Sequence, residues 1–214
     1  PRQRRHVVKN FSPDEFFVSD EELANKWQSP YKIRVLFLSN LLPGKGYEEL
    51  AQAIVRLPPD LMEKYRFDFA GGFESAQAEQ AFLTSVKHLP NVTYHGSVHG
   101  DEKRELLRQA HLLCLPTYYP YEGQPISILE AYAAGCAVAT TDHSGIFDIF
   151  TPCENGWEVI PRSVPALIEM LLKVASNPQA AARIGKANSG LARSLYRQES
   201  HLAALRTALG LGSA

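Results

Sequence analysis

Cysteine is scarce in this chain, three in 214 residues, and the odd number offers no disulfide framework. Cys114 falls in one apolar run and Cys136 opens another, so both read as small core residues of a protein in a reducing, cytoplasmic compartment. Cys153 reads as nearer the surface, without a partner at metal-ligand spacing. The seven histidines are scattered, and the one i, i+4 pair, His95 and His99, spans Gly96 at a strand end rather than lying on a helix, so no zinc helix is read and no metal site is predicted. Charge of either sign is not in excess: the net value of -1 gives no global attraction for nucleic acid or an acidic membrane surface. One basic run, Arg2, Arg4 and Arg5, reads as a solvated arm. No apolar run approaches the roughly 18 residues of a transmembrane helix, and no signal peptide is visible. No segment repeats with a fixed period or is of low complexity. A Gly-x-Ser-x-Gly elbow is missing too, and Asp142, His143 and Ser144, as sequence neighbours, cannot form a hydrolase triad.

What is there is a soluble-type composition, 45% apolar and 21% charged, long enough for one good α/β core. Residues 1–30 have no sustained periodicity and read as an arm or interdomain linker. The chain opens on Pro1 in mid-stride, as a piece of a longer protein would. From residue 31 onward, short apolar strands alternate with helices. Strands are expected at 33–39, 65–70, 91–96, 111–116, 137–141 and 157–160. Helices are expected at about 47–57, 75–89, 101–109, 125–134, 163–176, 178–195 and 198–209. This pattern predicts a Rossmann-like three-layer α/β/α domain with a mostly parallel sheet of about six strands over 31–214. Ligands of such sheets bind beyond the carboxyl ends of the strands. The loops there are 40–46, 71–74, 96–100, 117–124 and 142–146.

The segment from Glu122 to Gly135 carries the most chemistry. Two carboxylates stand eight positions apart with Gly123, Gln124 and Pro125 between them, and Gly135 closes the helix. Pro125 suits the first helical position and Gly135 the one past the end. The first turn, through Ile126, therefore offers free N–H groups and the positive dipole end to an anion. At ~1.5 Å rise per residue the two carboxylates stand on the order of 10 Å apart, the span of a nucleotide-sugar from sugar to ribose. Glu130 lies among almost wholly apolar neighbours, so it needs a partner, either an internal salt bridge or a ligand hydroxyl.

Other motifs carry two readings each. In Asn40-Leu-Leu-Pro-Gly-Lys-Gly46, Lys45 could reach a phosphate while Gly44 and Gly46 let backbone approach. The segment is not a P-loop, and taken alone it reads as an ordinary strand-to-helix turn. Gly71 and Gly72 suit either turn chemistry or a ligand. His95, before Gly96 and Val98, is either a satisfied strand-end histidine or part of a nucleobase slot. Residues 142–145 are expected on the same rim.

With this order in hand, the chain resembles the C-terminal, donor-binding half of a family 4 (group 1) glycosyltransferase of the GT-B fold, over about residues 31–195. The pattern Glu-Gly-x-Pro-x-x-x-x-Glu-Ala-x-Ala-x-Gly is met in full from Glu122 to Gly135. The resemblance implies that Glu122 contacts the donor sugar and that the backbone of Gly123, Gln124 and Pro125 meets the sugar or diphosphate. It implies further that Glu130 holds the ribose hydroxyls, that Val98 lies by the base, and that Lys45 neutralises the leaving diphosphate. It also implies retaining transfer from a nucleotide-sugar to a glycan or lipid-linked acceptor without an obligatory metal or other cofactor. The acceptor is then held mostly by an N-terminal domain, with peripheral membrane association of the full-length protein. Asn40 departs from the pattern, which has an arginine five positions before the lysine, and this throws more of the neutralisation onto Lys45. A GT-B epimerase-like enzyme and a non-catalytic domain that has lost donor binding are the alternatives.

Overall fold

The computed structural model describes residues 6–28 and 32–211. The basic run at Arg2, Arg4 and Arg5 and the linker residue Pro30 lie outside them. Six strands form one sheet: β1 (Ile33–Leu38), β2 (Tyr65–Ala70), β3 (Val92–Tyr94), β4 (Leu112–Leu115), β5 (Ala137–Thr140) and β6 (Gly156–Glu158). Their spatial order is β3-β2-β1-β4-β5-β6 and every pairing is parallel. Val35 sits opposite Phe67 on one side and Leu112 on the other.

Parallel strands need crossovers, and helices supply them. These are α2 (Tyr47–Val55), α3 (Pro59–Met62), α4 (Ala76–Val86), α5 (Gly100–Gln109) and α6 (Ile126–Ala133). After β6 come α7 (Val164–Ser176), α8 (Pro178–Leu195) and α9 (Gln198–Ala208). With helices on both faces the central strands are buried throughout. This is why β4 and β5 are uninterrupted apolar or small residues rather than alternating ones. The expected doubly wound architecture is the observed one. The edge strands β3 and β6 are shorter than the sequence pattern suggests, and α3 has too few residues to show a period.

The segment read as an arm is not irregular. Before β1 lie a 3-10 turn, Asp14–Phe16, and a helix, α1 (Asp20–Lys26). A capping box starts α1: Ser19 Oγ accepts from the Glu22 N–H at 3.2 Å, and the Glu22 carboxylate accepts from the Ser19 N–H at 2.6 Å. Phe16, Val18, Leu23 and Trp27 are buried in the main core. Trp27 Nε1 donates to the Gly135 carbonyl at 3.1 Å, tying α1 to the end of α6. Seven residues are two turns, too few for a periodic signal against a polar background.

Under Trp27 lies His111, whose ring meets the indole edge-on at 5.0 Å. The Arg34 N–H donates to Nδ1 at 3.0 Å, so the ring proton sits on Nε2, which donates to the Lys26 carbonyl at 2.9 Å. Burial pushes the imidazole pKa down to about 4, and the ring is neutral at pH 7.

Candidate functional site

Strand order reverses direction of travel between β1 and β4, and a cleft of about 390 Å³ opens there beyond the carboxyl ends of the strands. Ala70 ends β2, Asn40 and Val98 follow the ends of β1 and β3, Lys45 comes from the β1–α2 loop, Lys103 from α5, and Glu122, Ile126 and Glu130 from the loop and helix after β4.

Glu122 is set deep in this cleft. Its Oε2 accepts from Lys45 Nζ at 2.8 Å and from Thr117 Oγ1 at 3.0 Å, with both ionic side chains largely buried. The ammonium of Lys45 also stands 4.8 Å from the centre of the Tyr119 ring. The loop that carries Glu122 is braced on several sides. His143 Nε2 donates to the Tyr119 carbonyl at 2.7 Å, and Ser144 Oγ donates to the Glu122 carbonyl at 2.5 Å. Tyr118 donates to Glu49 at 2.6 Å, and its phenol is pushed up to about 12 by burial and by that carboxylate, so it stays a donor.

Glu130 is buried on α6, 5% exposed at its side chain. Its Oε1 accepts from Lys103 Nζ at 2.7 Å, while its buried Oε2 has no protein partner. One half of the carboxylate satisfies the internal-salt-bridge reading, and the other half is left for a ligand donor. Beside it, the first main-chain bond of α6 is the Ile128 N–H to the Pro125 carbonyl, so the Ile126 and Ser127 N–H groups have no intrahelical partner. Pro125 takes the capping position rather than the first helical one. The cleft thus holds two lysine–glutamate pairs and a helix N-terminus, a combination suited to an anion flanked by hydroxyl-bearing groups.

Of the sequence-derived residues, Asn40, Lys45, Val98, Glu122, Pro125, Ile126 and Glu130 line the cleft. Gly44, Gly46 and Gly72 do not. A Cβ on Gly46 would stand 2.4 Å from the Pro116 carbonyl oxygen and one on Gly44 3.2 Å from Tyr119 Cα. These two glycines let the β1–α2 loop pass against the chain after β4, so the close approach is to protein rather than ligand. Gly72 packs against Ser97, and Gly71 lines the cleft in its place. Gly123 and Gln124 lie outside the lining, and nothing stands within 4 Å of where a Gly123 Cβ would be.

Two further readings resolve. His95 is the satisfied strand-end histidine, its Nε2 2.8 Å from buried Asp68, while its neighbours Ser97 and His99 reach the cleft instead. Residues 142–145 are not among those that line the cleft; His143 and Ser144 brace the Glu122 loop instead.

Lys103 is the residue that sequence reasoning missed. It sits in the charged stretch Asp101-Glu102-Lys103-Arg104-Glu105, where nothing in the pattern separates a cleft lysine from solvated ones. It brings a second ammonium group into the cleft beside Lys45, paired with Glu130.

Known proteins share the family and the fold. A glycosyltransferase of uncharacterised specificity from Methanocaldococcus jannaschii is 28% identical over 133 residues, covering 60% of this chain and 32% of the relative. The N,N'-diacetylbacillosaminyl-diphospho-undecaprenol alpha-1,3-N-acetylgalactosaminyltransferase of Campylobacter jejuni is 27% identical over 152 residues, 70% of this chain and 37% of the relative. The chain therefore spans about a third of the length of the curated relatives it matches. Among solved structures, Anabaena HepE in complex with UDP and glucose superposes with a TM-score of 0.76 at 18% identity, over 94% of this chain and 55% of the other. Residues 19–190 match the family described as glycosyl transferases group 1. That match takes in α1, the sheet and α8 nearly to its end, and the chain belongs to that family.

Proposed function

We propose that this chain is the donor-binding half of a nucleotide-sugar-dependent, retaining glycosyltransferase that passes a hexosyl group to a glycan or lipid-linked acceptor. The observation that carries the reading is Glu130, a cleft-lining residue whose buried Oε2 has no protein partner, beside Lys45, Glu122 and the open N-terminus of α6. A buried carboxylate oxygen without a donor is costly, and a ribose hydroxyl supplies the missing hydrogen bond. The diphosphate lies between the two acidic residues, over the Ile126 and Ser127 N–H groups, with Lys45 beside it. Glu122, held by Lys45 and Thr117 through Oε2, presents its other oxygen to the donor sugar.

When the bond from the anomeric carbon to the diphosphate oxygen breaks, negative charge grows on the leaving group. A lysine and a helix N-terminus already aimed at that charge stabilise it without reorganising, in place of a metal ion. The acceptor belongs to an N-terminal domain beyond this chain, so the isolated chain binds donor weakly and turns over little. The full-length protein works from the cytoplasm, peripherally on the membrane face where the acceptor is lipid-linked. No helix among the described residues is long and apolar enough to cross a membrane. UDP-glucose is the first donor to try, and UDP the first nucleotide, because HepE was crystallised with UDP and glucose and with UDP-glucose.

Asn40 favours a second reading, a domain that kept the fold and lost its donor. Calorimetric titration of the chain with UDP, GDP and ADP separates the two. Saturable binding of one of them at or below millimolar concentration, lost in Glu130→Ala, supports the transferase site; no heat with any of the three supports the degenerate domain.

A further inference from the structure

We infer that Lys103 is a positioning residue for the nucleotide, a role that rests on the donor-site reading above. The ammonium group lies between two fixtures. On one side it donates to Glu130 Oε1 at 2.7 Å; on the other it stands 5.1 Å from the centre of the Phe16 ring. Phe16 is 4% exposed and belongs to the 3-10 turn before α1, so the stretch that reads as an arm in the sequence forms one wall of the Lys103 slot.

The consequence is twofold. First, with Oε1 held by Lys103, the carboxylate of Glu130 is fixed in rotation, and its buried, partnerless Oε2 is the oxygen left for a ribose hydroxyl that enters the cleft. Second, an unpaired carboxylate in this cleft would repel a diphosphate bound at the α6 N-terminus a few residues away. Pairing with Lys103 cancels that charge, which matters more here because Asn40 adds none. Lys103 thus acts through Glu130 and on the local potential, while Lys45 faces the phosphates directly.

The test is a titration of the chain and its variants with UDP, GDP and ADP, with their 2′-deoxy counterparts, and with the parent nucleosides. The wild type should prefer the ribose diphosphate over its 2′-deoxy form by about tenfold, the worth of one hydrogen bond to a charged group. In Lys103→Met the diphosphate should bind about tenfold more weakly and the ribose preference should fall toward unity, with the nucleoside less affected. Lys103→Arg should retain most of both, and Phe16→Ala should move part of the way toward Lys103→Met. A lowered melting temperature alone is what a purely structural lysine would give. A folded Lys103→Met protein with an undiminished ribose preference overturns the inference while leaving the donor site standing. If that variant does not fold, Lys103→Gln carries the same comparison. Failure of the wild type to bind any diphosphate removes the donor-site reading and this inference with it.

Discussion

Lys45 Nζ stands 2.8 Å from Glu122 Oε2, although the two residues are 77 positions apart in the chain. The contact joins the loop after β1 to the loop after β4, the two segments on either side of the point where strand order reverses. Thr117 and Tyr119 fix the pair from below and beside, so a cation and a carboxylate are ready in place before a donor arrives. Replacing Lys45 with Met should therefore weaken nucleoside diphosphate binding by about ten- to a hundredfold, the range for a charge-assisted hydrogen bond, and leave the nucleoside nearly unaffected. Titration with UDP and uridine checks this; equal losses for both would place Lys45 away from the phosphates.

Glu130→Ala should lower the free energy of unfolding by about 1–3 kcal/mol. It leaves the Lys103 ammonium without its carboxylate, and the residual 24% exposure of that lysine moderates the cost below that of a fully buried broken pair. Urea denaturation of the two proteins measures it, and an unchanged midpoint would show that the pair contributes nothing to the fold.

Acid should destabilise the protein through His111. Its folded pKa is about 4 against an ordinary 6.5, so the unfolded chain takes up a proton first as pH falls. Stability from this group is intact above pH 6.5 and is lost between about 6.5 and 4, by up to about 3 kcal/mol. Urea midpoints followed across that window should slope less steeply for His111→Gln than for the wild type.

Trp27→Ala should cost about 3–5 kcal/mol, the usual range for deleting a buried indole, because the ring fills the space between α1, α6 and α8. A stretch that merely linked domains would tolerate the change within about 0.5 kcal/mol. Chemical denaturation distinguishes the two.

Only one of the three thiols should react with a maleimide in the native state. Cys153 is exposed, whereas Cys114 is buried with its thiol pushed up to about 12, and buried Cys136 donates to the Ala110 carbonyl at 3.1 Å. Mass spectrometry should find a single adduct, with all three modified after denaturation.

The alternation of apolar runs and helices was enough to predict the parallel sheet, because strands covered on both faces must be apolar throughout and their crossovers must be helical. The segment from Glu122 to Gly135 was legible for a similar reason: a carboxylate among apolar neighbours, a proline at a helix start and a glycine at its end each mean something within a few residues. Lys103, Thr117 and Phe16 carry no such local mark. Their roles come from distances across the chain, Lys103 to Glu130 over 27 residues and Phe16 to Lys103 over a longer stretch still. The glycines of the first loop show the same limit. Sequence announced that backbone comes close at Gly44 and Gly46, and only the packed structure decided that what comes close is the chain after β4. Local pattern determines which elements form, since propensity and burial act residue by residue; which charges meet depends on how those elements stack, and that is a property of the whole fold.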